Sequence, residues 1–164
     1  MPATYEPIAT TTLSTGTASV TFSSIPATYT DLVLVANCTA ATLGTDSIDI
    51  QFNGDTANNY STTQITGTGS SASSTRGTSE PRIYGALISS SEISISIWNI
   101  FNYANTTTYK TIMARGNLGS TYGVRQSAGT WRSTAAINSI KLYNDTAQNF
   151  AAGSTFTLYG IKAA

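Results

Sequence analysis

The sequence predicts an all-β protein: a single-domain antiparallel β-sandwich of about eight to ten strands, with a jelly roll favoured. Three observations carry that expectation. Short apolar or alternating runs recur along the chain, bounded by Gly, Pro, Asn and Asp, the pattern of strands separated by turns. Ser and Thr fill 50 of the 164 positions; the branched Cβ of Thr suits a pleated surface and Ser favours turns. No run has the sustained 3.6-residue periodicity of a long helix. An immunoglobulin-like sandwich of seven strands needs only about 100 residues, which is why the longer chain points to the jelly roll.

Residues 1–16, MPATYEPIATTTLSTG, read as a flexible N-terminal arm before a sandwich spanning 17–164. The first strand is SVTFSSI, with Val20 and Phe22 on one face because successive side chains alternate. After the turn IPATYTD comes LVLVANC, an unbroken apolar run suited to a strand buried on both faces, with Cys38 as a buried core residue. SIDIQF sets Ile48, Ile50 and Phe52 on one face and Asp49 on the solvent face. It stops at NGD, a strong signal for a turn of type I′ or a related kind. NYSTTQIT is the next strand. The stretch 67–81, GTGSSASSTRGTSEP, is low in complexity and lacks an apolar anchor, so it reads as a long mobile loop.

The second half continues with RIYGALI and then SEISISIWNIFNY, where Ile93, Ile95, Ile97 and Phe101 share one face and Ser94, Ser96, Trp98 and Ile100 the other. Its first half is half-solvated and its second half covered on both sides or bulged. YKTIMARG, TWRSTAAINSIKLYN and STFTLYGIK complete the set. In the last, Phe156, Leu158 and Gly160 lie on one face and Thr157, Tyr159 and Ile161 on the other. Apolar groups on both faces call for cover on the second, either from a loop or arm laid across it or from another subunit, and Tyr159 and Ile161 are placed on the side nearer a partner.

The composition excludes more chemistry than it offers. Charged residues are 10% of the chain, and eight basic and eight acidic residues cancel; Lys and Arg are scattered, with no footprint for nucleic acid or an anionic membrane. No apolar run reaches membrane-span length, and the first residues lack the basic start and apolar stretch of a signal peptide. Histidine is absent and Cys38 is the single cysteine, which removes Ser-His-Asp and Cys-His arrangements, thiolate clusters and an internal disulfide. The Gly-rich stretch lacks the Lys and following helix of a phosphate loop. FNGDTANNY offers oxygen ligands but one carboxylate, too few for a tight calcium loop, and reads as a turn. Two carboxylates about 5–10 Å apart would suffice for glycoside hydrolysis. Of the acids Glu6, Asp31, Asp46, Asp49, Asp55, Glu80, Glu92 and Asp145, most lie at turns or strand ends. The expectation is no catalytic residue, no metal and no cofactor. Among the aromatics, Trp131 in GTWRS is the candidate surface group, as a protein contact or a stacking platform for a sugar ring, whereas Trp98 reads as packed.

The segments VTFSSIPATYTDLVLVANC, IQFNGDTANNYS and FAAGSTFTLYGIKAA, in that order, resemble small β-rich virion proteins of tailed bacteriophages. The likeness runs from about Val20 to Ile161. It implies a jelly roll or related sandwich, assembly as a homotrimer, a structural place in the virion and no catalysis. Two places fit such proteins: decoration (cement) of the capsid shell by contact with the major capsid protein, or a tail fibre tip that recognises host surface glycan. A chain with its own opening Met and no shaft-like segment leads us to expect the shell. Trp131, Tyr159 and Ile161 are the expected partner contacts, with a carbohydrate-binding module as the alternative class.

Overall fold

The computed structural model describes residues 4–42, 44–118, 123–146 and 148–162, which form twelve β-strands and no helix. In chain order the strands are β1 (Tyr5–Thr12), β2 (Ser19–Phe22), β3 (Asp31–Cys38), β4 (Thr45–Phe52), β5 (Tyr60–Gly67), β6 (Ala72–Glu80), β7 (Ile83–Ser89), β8 (Ser94–Phe101), β9 (Lys110–Leu118), β10 (Gly123–Trp131), β11 (Ile140–Asn144) and β12 (Thr155–Ile161). They build two antiparallel sheets. One has eight strands in the order β1-β12-β3-β8-β9-β10-β5-β6, and the other has four in the order β2-β11-β4-β7. The all-β sandwich expected from the sequence is therefore present.

The pairings are nested. β1 pairs with β12, β2 with β11, β3 with β8, β4 with β7 and β5 with β6, so the chain runs out and back as one long hairpin folded over itself. Its tip is the turn after β5, where Thr68 N–H donates to Ser71 O at 2.9 Å and Gly69 takes φ +83°. Within the return half, β9 and β10 extend β8 into a meander that closes on β5.

The strands alternate as the sequence requires, and their inward faces fuse into a single core. Leu32, Leu34 and Ala36 of β3, Phe156 and Leu158 of β12, and Trp98 and Ile100 of β8 meet Val20 and Phe22, Ile48, Ile50 and Phe52, and Ile140 and Leu142 of the smaller sheet. Cys38 is in that core, and burial pushes its thiol up to about 12. At the corner after β4, Asn53 and Gly54 both have positive φ and Asp55 N–H donates to Phe52 O at 2.9 Å, a type I′ turn. The turn leads from one sheet to the other instead of closing a hairpin. Asn53 then ties the corner to the loop before β11: its Oδ1 accepts from Asn138 N–H and Ser139 N–H, and its Nδ2 donates to Ala136 O.

Several expectations are corrected. The 1–16 arm contains β1, whose backbone pairs with β12 from Tyr5 opposite Ile161 to Thr12 opposite Thr155. The 67–81 stretch contains β6, an edge strand: its side chains bury almost nothing, but its backbone pairs with β5. Lack of an apolar anchor does not forbid a strand that needs no buried face. The stretch TWRSTAAINSIKLYN is not one strand, because Trp131 ends β10 and β11 starts at Ile140. In β8 the serine face points inward: Ser94, Ser96, Trp98 and Ile100 are all fully buried, and Ile95 is exposed. Small residues on that face leave room for the Trp98 indole, which donates from Nε1 to Ser96 Oγ at 3.2 Å. Asp49 lies on the outer side of its sheet as its phase predicts, yet it is fully buried.

Candidate binding face

The register of the eight-stranded sheet decides which side chains share its outer surface. One row across it runs Tyr159, Val33, Asn99, Met113, Ala128, Thr63, Arg76. The next row runs Thr157, Val35, Ile97, Arg115, Gln126, Ile65, Ser74, and the third Thr155, Asn37, Ile95, Asn117, Val124, Gly67, Ala72. The large hydrophobic side chains exposed among the described residues are Tyr5, Ile65, Ile93, Ile95, Phe101, Tyr109, Met113 and Val124. Those within strands all point from this one surface; Ile93 and Tyr109 precede β8 and β9 in the same alternation phase. Ile65 and Val124 are 60% and 61% exposed, so none of the described residues covers these aliphatic side chains.

Ile65, Ala72, Ile95, Ile97 and Val124 line a shallow groove of about 530 Å³ together with Arg115, Asn117 and Gln126, which stand between them in the rows. Arg76 and Arg115 stand on the same surface with no ion pair among the described residues. Seven strand spacings of about 4.8 Å and eight residues at about 3.3 Å give a face of roughly 34 Å by 26 Å, or about 900 Å². A standard protein interface buries about 800 Å² on each partner. The surface interleaves apolar side chains with polar ones over a broad area, with the Arg115 guanidinium in its middle on β9 and Arg76 on the edge strand β6.

The three residues expected to meet a partner do not sit together. Tyr159 and Ile161 are on the outer face, half-buried, and Tyr159 packs edge-on against Tyr5 with ring centroids 6.4 Å apart. β1 thus supplies part of the cover that the second face of β12 requires. Trp131 is 2% exposed. It stacks on Tyr60 at 6.2 Å and donates from Nε1 to Asp55 Oδ2 at 2.7 Å, so its indole closes the corner after β4 and is unavailable as a sugar platform. A Trp in a Gly-flanked polar context reads as exposed from sequence; the register that turns it inward depends on β10.

The acids of the corner and of the smaller sheet are held by the protein's own donors. For Asp55, burial works against ionisation, but hydrogen bonds from Trp131, Asn59 and the Ala57 N–H hold its carboxyl below the usual range. Asp49 accepts from Ser47 Oγ at 2.6 Å and lies 2.8 Å from Arg82 Nε, and Arg82 also reaches Asp145. Burial pushes the Asp49 carboxyl up to about 7 against the pull of Ser47 and Arg82. A carboxylate with no exposed surface holds strands together and meets no substrate from solvent. Among the described residues no group of three or more Cys, Asp or Glu could hold a metal ion. Ile65 and Val124 escaped the sequence reading because each is an isolated aliphatic residue among polar neighbours, and Met113 because it stands beside the core residue Ile112; only the cross-strand register places them on one surface with Ile95.

No protein-family model matches the chain, and no curated protein matches it either.

Proposed function

We propose that this chain is a structural virion protein of a tailed phage that decorates the capsid shell as a homo-oligomer, binding the major capsid protein without catalysis. The observation that carries the reading is the outer face of the eight-stranded sheet, on which the exposed large hydrophobics concentrate over an area the size of a protein interface. Such a surface has its use in being covered. Two further points support it. The nested strand pairs fit a jelly roll in which β2-β11-β4-β7 faces β3-β8-β5-β6 and β9 and β10 widen one position, an architecture shared by viral shell proteins. The segments that resemble phage virion proteins include the β4 corner and β12. The glycan-binding alternative, which the same resemblance allows, loses its candidate sugar platform because Trp131 is buried in the corner.

Imaging of intact particles tests the proposal: density for this chain is expected on the shell, and density at the tail tip or absence from the particle overturns it. A paired Ile95→Lys, Val124→Lys variant should fold, with stability within about 0.5 kcal/mol of the parent because both sites are exposed, and should no longer bind shells. Undiminished binding would move the contact to another surface.

A further inference from the structure

We propose that two copies of this chain join edge to edge through β6, antiparallel across a two-fold axis, so that their eight-stranded sheets become one; this rests on reading the chain as an assembling subunit. An edge strand presents unpaired backbone N–H and C=O groups, and chains that remain apart blunt such edges. Three of the four sheet edges here are blunted. β1 carries Pro7, which has no N–H to offer, and its register shifts between Pro7 and Ala9. β2 is four residues long. β7 is buried except at Tyr84 and packs against β9 and β10.

β6 differs from all three. It has nine residues and no Pro; its register with β5 shifts between Tyr60 and Thr62, opposite Glu80 and Gly77, but from Gly77 back to Ala72 it pairs regularly, and its other side there has no strand among the described residues. Its side chains there are Ala, Ser, Thr, Gly and a single Arg, small enough for another backbone to lie alongside. Most of them are exposed, so β6 gains little from burial in its own chain, and backbone pairing is the stabilisation still open to it. A second copy has one edge of matching character, its own β6. Pairing like with like is isologous and closes as a dimer.

Face and charge select the register. Ala72, Ser74 and Arg76 point outward with Gly67, Ile65 and Thr63 of β5, and Ser73, Thr75 and Gly77 point inward. A continuous sheet sets like face beside like face. An axis through Arg76 would oppose two guanidiniums directly, which destabilises a cross-strand pair. An axis through Thr75 sets Thr75 beside its copy as a hydroxyl pair, Arg76 beside Ser74 of the second copy, and Ser73 beside Gly77. The apolar outer face then continues across the junction, doubling the area presented to one shell.

Sedimentation equilibrium of the full chain at micromolar concentration should give twice the mass of one chain, not the three-fold mass implied by the resemblance to trimeric virion proteins. Thr75→Cys should oxidise in air to a disulfide-linked dimer, because Cβ atoms directly opposite lie about 4.5–5.5 Å apart, within a small shift of the edge strands from the roughly 3.5–4.5 Å that a disulfide spans; Cys38 is buried and contributes little background. Ser70→Cys, in the turn beyond the strand, should remain reduced. A monomeric or trimeric mass, or Thr75→Cys cross-linking no faster than Ser70→Cys, overturns the edge contact. Shell density in particle images would stand apart from that failure, since it reports where the chain is and not how its copies pair.

Discussion

At the scale of single residues, two positions show opposite limits on what a sequence discloses. Trp98 reads as packed and is fully buried, but the reason lies in a residue that carries no side chain. A Cβ on Gly85 would sit 1.7 Å from Trp98 Cη2 and 2.6 Å from the Ile48 carbonyl oxygen. Backbone cannot yield as a flexible side chain does, so Gly85→Ala should cost at least about 1–3 kcal/mol through overpacking, read as a lower urea midpoint; an unchanged midpoint would mean that the indole has room to move. Asp49 presents the second case. Its alternation phase is legible, while its burial follows from Tyr143, Tyr84 and Arg82 closing around it, residues distant in sequence. Its carboxyl titrates near 7 when folded, above the roughly 3.9 of an unfolded Asp. The folded state therefore binds more protons between those values. Its contribution to stability is greatest below about pH 4 and is lost as pH rises to about 7. Urea midpoints of the parent minus those of Asp49→Asn should decline across that interval; a flat difference would mean that Arg82 keeps Asp49 ionised throughout.

At the scale of elements, the strands with clear alternation or unbroken apolar runs were legible: β2, β3, β4, β8 and β12 fall where their patterns place them. The strands that were not legible are those whose partner supplies the reason for extension. β1 and β6 have almost no buried face, and they are strands because β12 and β5 offer backbone groups to pair with. β10 reads as polar between Val124 and Trp131 apart from Ala128, and it exists as the strand between β9 and β5. The same reasoning ranks the consequences of removal. β12 stands between β1 and β3 and sends Phe156 and Leu158 into the core, so truncation before Thr155 should abolish folding. Tyr159→Ser removes only an outer-face ring that packs on Tyr5. That variant should fold, by circular dichroism, still pair through β6, and bind shells poorly; undiminished shell binding would show that the second face of β12 is covered from within by β1.

At the scale of the whole molecule, nested pairing sets the order in which the chain can close. The tip pair, β5 with β6, is local, whereas β1 with β12 joins Tyr5 to Ile161 across nearly the full sequence. Loop closure must be met before distant pairs reward it, so folding that starts at the tip and zips outward is the low-entropy route. The described ends are also adjacent: Lys162 N–H donates to Thr4 O at 3.1 Å. Joining the ends by a short linker and opening the chain between Gly69 and Ser70 would reverse the nesting, making the β1 and β12 pair local and the β5 and β6 pair the most distant. Every native contact survives this change, and the separations exchange roles across the hairpin. The permutant should therefore reach the same fold, with a refolding rate within about tenfold of the parent because the mean separation of contacts is nearly conserved. The site of nucleation should move. In the parent, substitutions at Thr63 and Thr75 should slow folding and those at Thr10 and Thr157 chiefly speed unfolding; in the permutant the two pairs should trade behaviour. If Thr63 and Thr75 control the folding rate in both connectivities, the tip is a nucleus by its local chemistry and not by its place in the chain.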